Sequence, residues 1–209
     1  MGKSTLTGVF ANYLHTIGKK QGLKIAVIDA DDTQNSLSRK RQREESLQEE
    51  KDNYKIITIS SKDLPDKIET LQKMYDIILV DLPGNIKQEG VSIIYYLIDV
   101  AFIPTQPSEL DIDSTAIFYE IYSQIIEKRK QQGYKTSVKG IFNNVTPNLI
   151  EFKELYENRN NLYMPFVNGY FKTSKTLYQR AFSTTSEKYN HETYKVCEEL
   201  LETIINHIK

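Results

Sequence analysis

The chain reads as an α/β protein with a doubly wound, mostly parallel sheet and helices on both faces. Two observations predict this. Short apolar runs (Lys24–Asp29, Lys55–Ile59, Tyr75–Asp81, Val100–Ile103, Val138–Phe142) alternate with stretches whose apolar residues recur at three and four. Two of those runs, Ile25-Ala-Val-Ile-Asp29 and Ile77-Ile-Leu-Val-Asp81, show no polar alternation and end in a carboxylate. Unbroken apolar strands are what a sheet covered on both faces requires.

The first helix is read from Ser4 to about Gln21, with Leu6, Val9, Phe10, Tyr13, Leu14 and Ile17 on one face and Gly22 as its C-cap. It opens on Gly2-Lys3-Ser4-Thr5, the second half of a phosphate-binding loop G-x-x-x-x-G-K-[ST]. A helix N-terminus offers unpaired N–H groups and a partial positive charge, which suit a phosphate. In such a loop Lys3 reaches the β- and γ-phosphates and the Ser4 hydroxyl ligates Mg²⁺. Taken alone, G-K-S-T also matches ordinary helix starts.

Asp29-Ala-Asp31 follows the first strand, and ligands in open α/β sheets bind beyond the strands' C-terminal ends. Both carboxylates are therefore expected in the crevice of the Gly2–Thr5 loop. Residues Asn35 to Asp52 read as a charged helix, Arg39, Lys40, Arg41 and Arg43 preceding Glu44, Glu45, Glu49 and Glu50. It is either a solvated helix with internal ion pairs or a partner-binding or nucleic-acid face. A helix near Leu64–Met74 carries Pro65 in its first turn. Tyr75–Asp81, followed by Leu-Pro-Gly84, matches a Walker B strand whose aspartate holds Mg²⁺, and on its own also matches any buried strand with an acidic end.

Val91–Ile98 reads as a helix, Val100–Ile103 as a strand, and Ile112–Gln132 as a long helix with Ile117, Ile121, Ile125 and Ile126 inward. Asn143-Asn144 follow the next strand, either as turn formers or as amides that read an adenine edge. Leu149–Glu157 is helical, Met164–Phe171 extended and Leu177–Phe182 a short helix. The closing helix His191–Ile208 bears a stripe of Val196, Leu200, Leu201, Ile204, Ile205 and Ile208. No repeat or linker breaks the series, which reads as one domain over residues 1–209.

Composition narrows the function. The 209 residues are 39% hydrophobic and 26% charged with a net charge of −1, so nothing global draws the chain to nucleic acid or membrane. A single cysteine, Cys197, provides neither a disulfide framework nor a cysteine-rich metal site, and suits a reducing cytoplasm. His15, His191 and His207 lack metal-ligand spacing. No apolar run reaches the ~18–20 residues of a membrane span, and no signal-peptide pattern is present.

The ordered motifs resemble those of the ParA/MinD-type P-loop ATPases, which segregate DNA or position cargo. The carriers are Gly2-Lys3-Ser4-Thr5, the Asp29-Ala-Asp31-Asp32-Thr33-Gln34-Asn35-Ser36 segment, Ile77–Asp81 and Phe102-Ile-Pro104-Thr-Gln-Pro107. The acidic segment has one residue more than the family's D-x-D-P-Q-x-S and no proline, a spacing similar to ParA-like proteins of Bacteroidetes mobile elements. The resemblance implies a P-loop NTPase fold with ATP and Mg²⁺ as ligands. Gly2, Lys3, Ser4, Thr5, Asn143 and Asn144 would bind nucleotide, and Ser4, Asp29 and Asp81 the metal. Lys3 and Asp31 would be catalytic, Asp31 by positioning the attacking water. It also implies a homodimer, non-specific DNA binding through a patch such as Lys172, Lys175, Arg180 and Lys188, and a ParB-like stimulating partner.

The family's loop is K-G-G-x-G-K-[ST], and its signature lysine, two glycines and first central strand have no counterpart here. The expectation is a start codon assigned too far downstream, or a defective form, with weak ATP binding by the 209 residues. The alternatives are a MinD-like membrane or cargo-positioning ATPase, a metabolic P-loop enzyme such as a dethiobiotin synthetase-type ligase, and a non-catalytic ParA-fold scaffold. Glu198, Glu199 and Glu202 in the last helix argue against anionic lipid. Cys197 alone cannot supply the ligands of an iron protein.

Overall fold

A computed structural model of the chain describes residues 2–31, 35–46, 53–84, 90–173, 184 and 191–209. The elements run α1 (Lys3–Gly18), β1 (Ile25–Asp29), α2 (Ser36–Glu45), β2 (Lys55–Thr58), α3 (Leu64–Met74), β3 (Ile77–Asp81), α4 (Val91–Tyr95), β4 (Val100–Thr105), α5 (Glu109–Gln131), β5 (Ser137–Val145), α6 (Ile150–Glu157), β6 (Phe166–Lys172) and α7 (His191–Ile208). Among the described residues the strands form two three-stranded, wholly parallel sheets, β2-β1-β3 and β4-β5-β6. The alternation of strand and helix dictates this, because parallel neighbours need a crossover between them.

The chain divides into two compact units. One comprises Lys3–Ile94 and Thr176–Tyr189, and is built on β2-β1-β3. Its central strand β1 is buried at every residue, as its unalternated sequence requires. Helix α1 packs on β1 and β3 through Leu6, Val9, Phe10, Tyr13 and Leu14, and ends in a 3₁₀ turn, Lys19–Gln21. Gly22 follows at φ +73 in the left-handed conformation that stops helices. The expected helix end therefore stands, with its last turn tightened.

The other unit comprises Met1–Gly2, Tyr95–Lys175 and Asn190–Lys209 around β4-β5-β6. Pro104 lies within β4, which among the described residues pairs with β5 on one side and has no strand on the other, where a missing N–H costs no ladder bond. Helix α5 begins three residues earlier than its apolar period suggested, because Ser108 caps it by accepting from the Asp111 amide. Of its expected inward isoleucines, Ile121, Ile125 and Ile126 are half-buried. Ile117 is exposed, while Tyr122 and Arg129 are buried, Tyr122 against the Tyr95 ring at 4.9 Å. Arg129 donates to the Tyr96 carbonyl and the Asp99 carboxylate, which is how a buried guanidinium is tolerated.

The closing helix α7 spans its expected residues. Val196, Cys197 and Leu200 are buried, whereas Ile205 and Ile208 at the end of the stripe are exposed. Glu199 accepts the Asn168 and Gly169 amides of β6 at 2.7 and 3.1 Å. The expected helix at Leu177–Phe182 lies outside the described residues.

Phe142 stacks on Phe166 at 4.5 Å, and a Cβ on Gly140 would lie 2.6 Å from the Phe166 ring. Gly140→Ala should therefore cost about 1–3 kcal/mol, the usual overpacking range, measured by urea denaturation.

Candidate functional site

The pairing of β1 with β3 sets Asp29 directly opposite Asp81, each the last residue of its strand. The Ala30 amide donates to the Asp81 carbonyl at 3.0 Å and holds the register past the strand ends. Asp29, Asp81 and Asp31 retain only 0%, 2% and 8% exposure. Buried carboxylates need partners, and these are half supplied. Asp29 Oδ2 accepts the Ser38 amide at 2.9 Å, and Asp81 accepts the Ser4 hydroxyl. Asp29 Oδ1 and Asp81 Oδ2 are buried with no hydrogen-bond partner among the described residues.

Burial raises the Asp81 carboxyl to about 6. The Ser4 hydrogen bond and the Lys3 ammonium work against that rise, and the Asp29 and Asp31 charges add to it. A carboxylate held up by desolvation and by like charge is a group poised to meet a cation.

Helix α1 presents its N-terminus to this pair. Lys3 and Ser4 are its first two residues, Thr5 follows half-buried, and its first turn contains no acidic residue. Lys3 also faces the turn after β3, since a Cβ on Gly84 would lie 3.2 Å from Lys3 Nζ. One unit thus brings together Lys3, Ser4, Asp29, Asp31 and Asp81: an ammonium and helix amides for anionic oxygens, and a hydroxyl and carboxylates for a metal. The donors are all hard oxygens, which fits Mg²⁺. Among the described residues no three His, Cys, Asp or Glu side chains form a self-sufficient metal cage. Mg²⁺ is generally held by one or two carboxylates together with water and phosphate oxygens.

Gly2, Asn143 and Asn144 fall in the other unit. Gly2 has φ +97, and a Cβ there would lie 2.3 Å from Asn143 Nδ2, so glycine is required on two counts. The asparagines do not follow the strand as a turn. They lie inside β5, which runs on to Val145 through an irregularity between Phe142 and Val145. Asn144 absorbs it at φ +58, a conformation asparagine tolerates, and its Nδ2 donates to Gln106 Oε1 at 2.9 Å.

Two features escaped the sequence. Asp29 serves as the N-terminal cap of α2, because the true N-cap residue, Asn35, makes no side-chain cap bond. Arg41 was read with the solvated charges of that helix but is 7% exposed and fully engaged. Arg39 and Arg43 are exposed, as a solvated face requires. Of the patch residues, Lys172 pairs with Glu192 at 2.7 Å, while Lys175, Arg180 and Lys188 lie outside the described residues, as do Asp32–Gln34.

Solved structures share this architecture. A candidate plasmid partition protein from Borrelia burgdorferi B31 bound to AMPPNP aligns over 98% of this chain and 93% of its own, with TM-score 0.66 and 16% identity. The MinD cell division protein of Aquifex aeolicus aligns over 96% and 92%, with TM-score 0.66 and 20% identity. The fold is that of the ParA/MinD P-loop ATPases. A ParA family ATPase from Chlorobium tepidum TLS aligns over 100% and 93%, with TM-score 0.56 and 17% identity. No protein-family model and no curated protein sequence matches the chain. Among the described residues no helix is long and apolar enough to cross a membrane.

In this ParA/MinD fold the raised Asp81 carboxyl has a stability consequence. Its folded value of about 6 exceeds the ordinary 3.8, so its ionisation opposes folding. The metal-free chain should lose stability from this group as pH rises through about 4 to 6, by up to about 2–3 kcal/mol. Asp81→Asn should be less sensitive over that window and gain on the parent by pH 7, checked by urea denaturation at pH 4 and pH 7.

Proposed function

We propose that the 209 residues form one ATPase domain acting as a Mg²⁺-dependent, ATP-driven partition switch. It would be of the ParA-like kind found on Bacteroidetes mobile elements. The observation that carries the reading is the placing of Lys3 and Ser4, at the N-terminus of α1, against the half-satisfied Asp29–Asp81 pair. In this reading Gly2 and the α1 amides take the phosphates with Thr5. Lys3 neutralises the charge developing between the β- and γ-phosphates. Ser4, Asp29 and Asp81 hold Mg²⁺, which supplies Lewis-acid stabilisation of the transferring phosphoryl group when bound. Asp31 orients the attacking water, and Asn143 or Asn144 reads the adenine edge. Transfer is directly to water, by positioning and charge stabilisation.

The switch would work as a cytoplasmic homodimer that forms on ATP, binds DNA without sequence preference and is released by a ParB-like stimulating protein. The AMPPNP in one similar structure supports nucleotide as the ligand. A second reading is MinD-like positioning of a cargo, which the likeness to MinD supports equally at the level of fold. Glu199 bears on its membrane form, because that carboxylate is committed to the β6 amides and α7 offers lipid an acidic rim.

Titration with AMPPNP and Mg²⁺ tests the reading. Binding should be saturable, and Lys3→Ala should weaken it at least tenfold. Equal binding by parent and variant would overturn the assignment. If the partition reading holds, DNA affinity should appear only with nucleotide and fall steeply with salt. Liposome co-sedimentation in its place would favour the second reading.

A further inference from the structure

Helix α2 carries at its far end a second polar cluster that the proposed chemistry does not use. Thr184, fully buried, has every polar group taken by this helix. Its amide donates to both Glu44 carboxylate oxygens at 3.0 and 3.2 Å, and its hydroxyl donates to Glu44 Oε2. The same hydroxyl accepts from Arg41 Nε at 2.9 Å, and its carbonyl accepts from Arg41 Nη2 at 3.0 Å. Arg41 completes its set on the Tyr54 carbonyl at 2.9 Å, with the guanidinium 4.7 Å over the Tyr54 ring. Charged groups arrayed around one backbone residue, some 140 positions distant, make a clasp, and charge-assisted bonds are the strong ones.

The near end of the same helix stands on the candidate site. Asn35, at φ 44, gives α2 no side-chain cap, and among the described residues its buried Oδ1 has no partner, nor has Ser36 Oγ. The cap comes from Asp29, through the Ser38 amide, and Thr58 fixes the Ser38 hydroxyl at 2.8 Å. Arg41 and Glu44 follow Ser38 on consecutive turns of one ten-residue helix. The placing of the clasp therefore depends on where the Asp29 carboxylate lies. Its other oxygen, Oδ1, has no hydrogen-bond partner among the described residues.

We propose that engagement of Thr184 by Arg41 and Glu44 is coupled, through α2, to occupancy of the Asp29–Asp81 pair by a divalent cation, each strengthening the other. The proposal rests on the reading of that pair as a cation site. A cation on Asp29 Oδ1 removes the repulsion from Asp81 and fixes the carboxylate that caps α2, so the helix presents Arg41 and Glu44 in one position. By linkage, a clasp that holds α2 in place pre-orients Asp29 for the cation.

The test is Mn²⁺ binding to the full chain with AMPPNP present, followed by electron paramagnetic resonance of the free ion. Thr184→Val, which removes the hydroxyl bonds, should weaken Mn²⁺ roughly fivefold or more, the lower range of allosteric coupling. Thr184→Ser, which keeps every bond, should bind as the parent does. Glu44→Gln serves in place of the valine variant if that chain does not fold. A purely structural clasp would lower the melting temperature equally with and without Mn²⁺ and AMPPNP. The coupling requires a larger loss when they are present. Unchanged Mn²⁺ affinity in Thr184→Val, with parental binding that Asp29→Asn abolishes, would overturn the coupling and leave the site reading standing. A parent whose Mn²⁺ binding is indifferent to Asp29→Asn would overturn both.

Discussion

The parallel pairing of β1 with β3 brings two aspartates side by side at the buried end of a sheet, and the neighbouring elements are arranged to make that tolerable. Two carboxylates in register cannot both ionise cheaply in a water-poor setting. The chain relieves the strain only partly. It supplies the Ser4 hydroxyl, the Ser38 amide and the Lys3 ammonium, and among the described residues one oxygen on each carboxylate is left unanswered. A core built for stability alone would close that account with apolar residues. Retaining the pair makes sense if something positive, absent from the folded polypeptide itself, completes it.

Two helices take their places from this constraint. Helix α1 runs its apolar face over β1 and β3, which delivers its N-terminal amides and Lys3 to the strand ends. Helix α2 is too polar to be placed by hydrophobic burial, with only Leu37, Ser38 and Arg41 buried, and is held at both ends by charge. Asp29 fixes its start, while Arg41 and Glu44 fix Thr184 at its end. One carboxylate thereby serves as a candidate metal ligand and as a helix cap, which is the physical basis for expecting the two roles to respond to each other.

Much of this was legible in the residues. Unbroken apolar runs such as Ile25–Asp29 and Ile77–Asp81 admit few structures other than buried parallel strands, and Pro65 and Gly22 punctuate helices where the structure has them. Asp29, Asp31, Asp81, Lys3 and Ser4 were singled out because the ends of parallel strands and the start of a helix converge. What remained hidden depends on distant partners. Nothing in Arg39-Lys-Arg-Gln-Arg43 distinguishes Arg41, since its burial is made by Thr184 and Tyr54. The period of α5 shows that Ile117 and Ile121 share a side, but neighbouring elements decide which side is covered. Asn143 and Asn144 look like a turn, yet a strand can carry them because asparagine accepts the left-handed conformation found at Asn144.

The central claim is that the Asp29–Asp81 pair is a cation site kept unsatisfied by the fold. Its most direct test is the proton count on binding, from calorimetric titration of Mg²⁺ with AMPPNP at pH 6 in buffers of different ionisation enthalpy. With the Asp81 carboxyl near 6, about half a proton should leave per cation bound, and that release should vanish in Asp81→Asn. Binding without proton release, or binding and release unchanged in the variant, would contradict the account.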